Sequence, residues 1–464
     1  MPAWIPSRTL ALAALLAALA ACGAPPRPGL PNLVVVTLDT TRADHVGAFG
    51  YFRDTTPALD ALAAESILFE AAIAPMATTL PSHVSLFTAT APGEHGVLAN
   101  ETQGGRRFVP AAGLRPLAAL AAELGYDTAA FVSAAPLKRD SGIETGFATF
   151  DEPADKNRPG GDTVDAALAW LARAEPPFLL WVHLYDAHWP YDAPPPHAGR
   201  YRTDAGLERE IARRRIPERA LRPLVGSVDD ARETINAYDA ALRYQDEQLG
   251  RLLDALREAG RWADTAILVV GDHGEGLCQH GEPGHGSTWA EQLHVPLVMR
   301  VPGEAPRRVA EPLSLMDALP TFLARVGAPG LALPAGQASG RDALAAGAAP
   351  RPILSRDTGR ERGQPHRVAL SAGRWKYFRI EELDGRVRDA LYDLQSDPFE
   401  LDDVAAQHPE RALALRRLTE AELGAEAARG EALRSGRPPE TRPVDPEVAR
   451  QLEALGYATG GATR

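Results

Sequence analysis

Three runs of apolar, mostly β-branched residues constrain the fold more than any other feature of this sequence. They lie at residues 33–38, 178–182 and 266–270, and none shows the polar alternation of a strand with one face in water. Such runs are typical of strands buried on both faces, as in parallel sheets covered by helices. Helical patterns at 57–65 and 231–260 lie between them. The sequence therefore predicts an α/β fold with a mostly parallel central sheet flanked by helices.

The 464 residues are enough for more than one domain. We expect residues 32–350, which carry the alternating pattern, to form the larger one. A Gly-, Ala- and Pro-rich stretch at 327–352 leads to short strand patterns and a helical pattern at 409–433, so residues 351–464 are predicted to form a small α+β domain with a helical tail. The charged segment 197–230 is expected to be a surface insertion or lid, with three consecutive arginines at 213–215 on a solvated helix face.

The first 31 residues are predicted to lie outside both domains. Residues 10–21 are apolar, too few to span a bilayer but suited to the core of a signal peptide. Leu19-Ala20-Ala21-Cys22 resembles a bacterial lipobox, in which the cysteine is lipidated. We therefore expect a signal peptide at 1–21, a lipidated Cys22 and a proline-rich tether at 22–31. The expected location is the cell envelope, on the periplasmic face of the outer membrane or at the cell surface.

The formal charge of −12 argues against binding to nucleic acid, because phosphate backbones are held mainly by clustered Lys and Arg. A small anionic substrate would need a metal ion or a few focused cationic groups.

Acidic and imidazole residues follow the predicted strands. Asp39 follows the first run, and Asp272 and His273 follow the third. Because ligands bind beyond the carboxyl ends of parallel strands, these side chains are expected to converge. Each aspartate could instead only cap a turn. Two carboxylates brought together without a counter-charge are costly, however, and a divalent cation removes that cost. We therefore predict a metal site at Asp39, Asp272 and His273.

Thr79 is the candidate nucleophile. Pro81 suits the first turn of a helix, and Thr79 stands where the N-cap is expected. A hydroxyl there lies in the positive field of the helix N-terminus, which favours both an alkoxide and a bound anion. A Thr that only caps its helix is the simpler alternative, but a metal beside it would make it an activated nucleophile and a fourth ligand.

Several stretches resemble the sulfatase family of the alkaline phosphatase superfamily. The most specific are Asp39-Thr40-Thr41-Arg42, Thr79-Leu80-Pro81-Ser82-His83, His183-Leu184-Tyr185-Asp186-Ala187-His188, Asp272-His273-Gly274-Glu275 and Gly284-His285-Gly286. The resemblance covers about residues 31–405 and makes 32–350 the expected catalytic domain. It implies a large α/β domain and a smaller C-terminal domain with a short antiparallel sheet. It also implies metal ligands at Asp39 and Asp272, and two substrate-binding histidines, His188 and His285, that assist the reaction.

The departures from the family pattern concern the nucleophile and the metal. Sulfatases proper carry Cys or Ser in a Cys-x-Pro-x-Arg pattern and oxidise it to formylglycine; here Thr79 stands at the Cys position and His83 at the Arg position, where it is expected to bind substrate. Oxidation of a Thr side chain gives a ketone, so formylglycine chemistry is not available. His273 replaces an amide and Thr40 an acid, which moves the metal preference from calcium toward zinc or manganese.

This set of residues resembles the phosphoester-cleaving branch of the superfamily, in which a Thr is the covalent nucleophile. The sequence therefore predicts a metal-dependent hydrolase that cleaves a sulfate or phosphate ester through Thr79 and a covalent intermediate. A phosphodiesterase or phospho-group transferase acting on lipid or glycan is one alternative. The other is a non-catalytic lipoprotein that binds anionic glycans. The expected partners are an anionic ester and, through the lipid, a membrane; the sequence does not decide the oligomeric state.

Overall fold

The computed structural model describes residues 29–101, 106–217, 231–360, 363–435 and 440–454. The predicted signal peptide, Cys22 and most of the tether lie outside these ranges, and so does part of the predicted insertion. Within them, no helix combines the length and apolar character needed to cross a membrane.

The strands are β1 (Asn32–Leu38), β2 (Ile67–Ile73), β3 (Arg106–Val109), β4 (Asp127–Phe131), β5 (Thr149–Asp151), β6 (Phe178–Leu184), β7 (Thr265–Gly271), β8 (His294–Arg300), β9 (Arg307–Val309), β10 (Leu313–Ser314), β11 (Ile353–Arg356), β12 (His366–Ala372), β13 (Trp375–Glu381), β14 (Val387–Asp393) and β15 (Glu440–Pro443). The α-helices are α1 (Pro57–Ala64), α2 (Thr79–Thr88), α3 (Pro92–His95), α4 (Leu117–Glu123), α5 (Gly160–Leu171), α6 (Ala205–Arg213), α7 (Ala231–Glu258), α8 (Ala290–Leu293), α9 (Leu315–Val326), α10 (Pro409–Leu433) and α11 (Pro446–Ala454).

Strand β1 lies inside the main sheet, between β6 and β7 and parallel to both. In the described part of the chain the strand order is β10-β2-β8-β7-β1-β6-β4-β5, with β9 paired to β2. Strand β8 runs antiparallel to β2 and β7, and the other pairs of this sheet are parallel. The predicted α/β fold with a mostly parallel sheet is confirmed.

Both faces of β1 are buried. Leu33 and Val35 pack in a layer that includes helices α2, α4 and α9, whereas Val34 and Val36 pack in a layer with α1, α5 and α7. Burying each such side chain contributes about 1.5–3 kcal/mol relative to exposure. This two-sided burial is the physical reason for the continuous apolar run in the sequence.

A second, antiparallel sheet is formed by β11 to β14 in that order. Helix α10 packs on it, with Leu415 against Tyr377 and Leu391 in one hydrophobic cluster. The predicted small C-terminal sheet and its long helix are therefore present. Strand β15 does not join this sheet but pairs with β3.

The expectation of a solvated face for the three arginines is wrong for Arg214. Arg213 and Arg215 are exposed, but Arg214 is 3% exposed and lies 3.1 Å from Asp44 Oδ2. Helix α6 buries Leu207 and Ile211 in a cluster that it shares with α7. The inward-facing side chains of α6 therefore dock this part of the insertion onto the main domain.

Candidate active site

Strands β1 and β7 are each followed directly by an aspartate, at the same level of the sheet. Leu38 pairs with Gly271, so Asp39 and Asp272 are the next residues on neighbouring parallel strands. His273 follows directly. Ligand atoms of Asp39, Asp272 and His273 all lie within 4.8 Å of one another, and all three residues are buried.

In each of the two carboxylates, a neighbouring group holds one oxygen in place and the other oxygen faces the cluster. Asp272 Oδ1 accepts from the backbone N–H of Thr40 (3.2 Å) and of His273 (2.8 Å). Asp39 Oδ2 lies 3.1 Å from His183 Nε2. The other two oxygens, Asp39 Oδ1 and Asp272 Oδ2, are buried and have no hydrogen-bond partner of ordinary geometry in the described part of the protein. Buried acceptors of this kind are rare unless an ion or water completes them.

Thr79 presents its hydroxyl to this cluster from the start of α2. Its Oγ1 lies 3.4 Å from His273 Nε2, and the hydroxyl also approaches Asp39 closely enough to lower the pKa of that carboxyl in part. The N-cap of α2 is Thr78 rather than the predicted Thr79, which is instead the first helical residue, because Thr78 is the residue with extended backbone angles.

The tautomer of His273 leaves a lone pair for the cluster. Its Nδ1 lies 2.9 Å from the carbonyl oxygen of Gly274, which can only accept, so Nδ1 carries the proton. Nε2 is then an acceptor that faces the Thr79 hydroxyl. Burial lowers the pKa of His273 to about 3, so the ring is neutral at physiological pH.

These donor atoms fit a divalent cation. Two carboxylate oxygens, one imidazole nitrogen and one hydroxyl converge in a fully buried space. A shared ion requires ligand atoms about 3–5 Å apart, as observed. The set combines hard oxygens with one borderline nitrogen, a donor mixture that divalent metal sites use.

The electrostatics of the two aspartates also call for a counter-charge. Burial raises the pKa of Asp39 well above its usual range. Burial, and then the charge of Asp39, raises the pKa of Asp272 in the same way. Both carboxyls therefore resist ionisation in the protein alone, and a bound cation reverses that preference.

His183 holds Asp39. As the residue directly after the second apolar run it was expected to converge with Asp39 and Asp272, but the sequence did not specify this contact. It occupies the last but one position of β6, and Thr37 of β1 is its partner in the register. Because the backbone N–H of Ser133 points to His183 Nδ1 (3.4 Å), the proton lies on Nε2 and is directed at Asp39. The signal that could have found it is a histidine inside an otherwise apolar buried strand.

His83 lies beside the cluster. Its ring is fully buried, as Thr79 and His273 are, and its Nδ1 lies 3.5 Å from Asp272 Oδ2; the predicted substrate contact stays a prediction. Its Nδ1 donates to the Thr79 carbonyl oxygen (2.7 Å), and its Nε2 accepts from the Thr37 hydroxyl (2.9 Å). Thr37 in turn accepts from Trp181 Nε1 (3.0 Å). These hydrogen bonds fix the first turn of α2 against β1.

His188 and His285 lie together on the open side of the cluster. Their Nε2 atoms are 3.2 Å apart, and the ring of His285 is 4.4 Å from that of His273, centroid to centroid. Their Nδ1 atoms lie within hydrogen-bonding distance of the carbonyl oxygens of Trp189 (2.8 Å) and Ala77 (3.0 Å) respectively. Both rings are thus oriented by the backbone, with Nε2 facing the site. Burial lowers the pKa of His188 to about 4.

The fold and this cluster define a hydrolase of the alkaline phosphatase superfamily. The family profile "Sulfatase" matches residues 31–328, which is more than half of the chain. The protein belongs to the sulfatase family, a family of sulfuric ester hydrolases.

Individual relatives are distant. The chain is 24% identical over 343 residues to the uncharacterized sulfatase YidJ of Escherichia coli K12, covering 63% of this chain and 67% of that protein. Other curated relatives match over about a third of their length. Among solved structures, the yidJ protein of Bacteroides fragilis superposes with a TM-score of 0.72 at 20% identity, covering 87% of this chain and 97% of that one. The phosphonate monoester hydrolase of Agrobacterium radiobacter superposes with a TM-score of 0.67 at 22% identity, covering 86% and 96%.

Proposed function

We propose that this protein is a metal-dependent hydrolase that cleaves a sulfate or phosphate-type ester through Thr79. The observation that carries the proposal is the position of the Thr79 hydroxyl, 3.4 Å from His273 Nε2 and against the Asp39 carboxylate. A threonine that served only its helix would have no reason to face two buried acceptors.

Asp39, Asp272, His273 and Thr79 would hold the cation. When bound, it would neutralise the charge of the ester and lower the cost of deprotonating the hydroxyl. Zinc or manganese suits these ligands best, for the reason given above.

The covalent step transfers one group. Thr79 Oγ1 attacks sulfur or phosphorus, the proton of its hydroxyl passes to the Nε2 side of the His188 and His285 pair, and the bond from sulfur or phosphorus to the ester oxygen breaks. The pair, whose Nε2 atoms face the site, then gives this proton to the leaving oxygen. Water then attacks the ester on Thr79, which releases sulfate or phosphate and restores the hydroxyl.

The alcohol part of the ester has room beside His285. A cavity of about 440 Å³ is lined there by Glu282, Ser287, Asp357 and Arg367 together with His285. The indole of Trp189, next to His188, is 57% exposed. Polar groups and an exposed aromatic face together suit a sugar or another polar alcohol.

Phospho-transfer chemistry is the second candidate, and Thr79 is the residue that favours it. Threonine cannot become formylglycine, and the solved structures with this fold include a phosphonate monoester hydrolase. The same site would act as a phosphodiesterase, or as a transferase if an acceptor hydroxyl of a lipid or glycan took the place of water.

The test is turnover by the purified full chain in detergent, with zinc, manganese or calcium, on a panel of sulfate, phosphate monoester, phosphodiester and phosphonate substrates. Thr79→Ala should abolish turnover. Thr78→Ala is the matched control: it removes a neighbouring buried hydroxyl that makes no capping bond and should keep most of the activity. Mass spectrometry should find a sulfo or phospho group on Thr79 in wild type.

Full activity in Thr79→Ala would overturn the nucleophile. Product that forms only with an added acceptor alcohol would indicate a transferase. Binding of sulfated glycan without turnover by any form would indicate the non-catalytic alternative.

The envelope location is proposed on the sequence alone. Lipidation at Cys22 would tether the enzyme to a membrane through residues 22–31. Incorporation of labelled palmitate into wild type but not into Cys22→Ser would support it, and equal labelling of both would contradict it.

A further inference from the structure

The last described part of the chain returns to the active site. We call residues 440–454 the C-terminal strap. It begins with β15, which pairs with β3 of the main domain, and it continues as α11. It is not part of the antiparallel sheet that precedes it in the sequence.

One side chain of the strap is fully buried beside the active site. Leu452 is 0% exposed and forms a hydrophobic cluster with Ala134, Ala135 and Tyr185. Val444 and Val448 pack against the same cluster. An isolated helix of nine residues is marginal in water, so this packing is what keeps α11 in place.

Tyr185 connects the strap to the reacting groups. Its ring stacks on His188, with centroids 4.3 Å apart and planes 18° from parallel. Through Leu452 the strap packs into the same cluster as Tyr185, and Tyr185 stacks on the ring whose Nε2 meets His285.

Polar contacts fix the strap on both sides of this packing. Gln451 accepts from Lys138 Nζ (2.6 Å) and lies within hydrogen-bonding distance of the Ala154 carbonyl oxygen (3.4 Å). Arg106 donates to the Thr441 carbonyl oxygen (2.8 Å), and Arg442 donates to the carbonyl oxygen of Asp140. The Gln451 contacts hold α11 against the segments that follow β4 and β5, and the two arginine contacts hold β15.

We infer that the C-terminal strap positions His188 for protonation of the leaving oxygen, with Leu452 as the positioning residue acting through Tyr185. The inference rests on the proposed function. It assigns to this segment a part in the step that releases the alcohol, separate from the attack by Thr79. Esters of alkyl alcohols need that proton most, and nitrophenyl esters need it least.

The test compares these two classes of ester in the full chain carrying Leu452→Ala. Because general acid catalysis contributes about 10²–10⁴-fold, a displaced His188 should lower kcat for the alkyl ester by about tenfold or more. The kcat for the nitrophenyl ester and both KM values should change by less than about twofold. Leu452→Met, which nearly conserves the volume, should restore the wild-type ratio of kcat for the alkyl ester to kcat for the nitrophenyl ester.

Leu415→Ala is the matched control, because it makes the same change in a buried residue of α10, packed in the small sheet. It should lower both rates equally or not at all. If Leu452→Ala lowers kcat equally for both esters, or for neither, the inference is overturned. Turnover by wild type in the same experiment would leave the proposed function standing. If Leu452→Ala does not fold, the ratio of the two kcat values is measured in Gln451→Ala, and the same outcomes support or overturn the inference. Absence of turnover in wild type would be a failure of the proposed function itself.

Discussion

Two buried polar clusters follow β1, and they differ in where their compensating charge comes from. In the acceptor cluster, Asp39 and Asp272 face each other with only neutral histidines beside them. In the paired cluster, Asp239 accepts from Arg53 (2.6 Å) and from Tyr51 (2.7 Å), and it lies 2.8 Å from His45 Nδ1. Asp39, Asp272 and Asp239 are all at most 1% exposed.

The pKa values of Asp39 and Asp272 shift in the opposite direction from that of Asp44, a partly exposed carboxyl beside the paired cluster. Burial raises the pKa of both Asp39 and Asp272. Near the second cluster burial also acts to raise the pKa of Asp44, but the charges of Arg214 and Arg42 bring it well below its usual range. Within the described residues, the chain supplies its own cations at the paired cluster and only neutral groups at the acceptor cluster. A buried acid without a built-in partner thus marks a site, whereas one with a partner marks a structural support.

The largest expected effect is on turnover. Asp272→Asn should lower kcat/KM by about 10³-fold or more, because it removes a ligand of the cation that activates the nucleophile. Asp239→Asn makes the same change in the paired cluster and should retain activity in the fraction that folds. Comparable losses per folded molecule in both variants would remove the distinction between the clusters.

The second prediction concerns stability and reverses the order of these variants. Asp239→Asn should destabilise the fold by about 3–5 kcal/mol, because it leaves Arg53 without its buried partner. This loss should be the same with and without a chelator, as measured by denaturant unfolding. Asp272→Asn in metal-free protein should be neutral or stabilising, since it removes a buried charge.

The third prediction is the effect of removing the cation from wild type. Chelation should lower stability by about 4 kcal/mol if the free ion had been present at about 1,000 times its Kd. The metal-free protein should then lose stability as pH rises from 5 to 8. The folded-state pKa of Asp39 and Asp272 lies above the ordinary carboxyl value of 3.8, so their folded forms favour protonation, and this contribution is lost as pH rises through the folded-state pKa values.

The control for the pH effect is the double variant Asp39→Asn with Asp272→Asn. Its stability should depend less steeply on pH than that of metal-free wild type. An unchanged slope would assign the pH dependence to other groups.

The smallest expected effect is on the free energy of unfolding and concerns a further ion pair, between His280 and Glu291. His280 lies 2.9 Å from Glu291 Oε1 and stacks on Trp289 at 3.8 Å. Burial acts to lower the pKa of His280, but the hydrogen bond and charge of Glu291 raise it overall. The pair's stabilisation is therefore full below the ordinary histidine pKa of 6.5 and is lost as pH rises through the folded-state value.

His280→Phe keeps a ring for the stacking contact and removes the charge. The difference in unfolding free energy between wild type and this variant should shrink between pH 6 and pH 9. A constant difference would mean that only the stacking matters.

The sequence predicted the part of the site that strand ends determine. Asp39 and Asp272 were predictable because each directly follows an apolar run, and parallel strands bring their carboxyl ends to one edge. Thr79 was predictable from its local helix-start pattern, to within one residue of the N-cap.

The supporting residues were harder to predict, because their roles depend on register and on distant segments. His183 meets Asp39 only because β6 pairs with β1 in one alignment. His83 was assigned to substrate by its position in a motif, and its hydrogen bond to Thr37 depends on how α2 lies against β1. Arg214 belongs to a run that resembles a solvated face, and only the docking of α6 shows that its partner is Asp44. A helical tail was predicted, but its packing at the site could not be foreseen, since nothing local links Leu452 to Tyr185.

Metal analysis of the full chain tests the central claim most directly. After dialysis against zinc or manganese, wild type and Thr79→Ala should each retain a divalent ion at the acceptor cluster, and Asp39→Asn with Asp272→Asn should bind one ion fewer per chain. Equal metal content in wild type and the double variant, together with full turnover by wild type in excess chelator, would contradict the account.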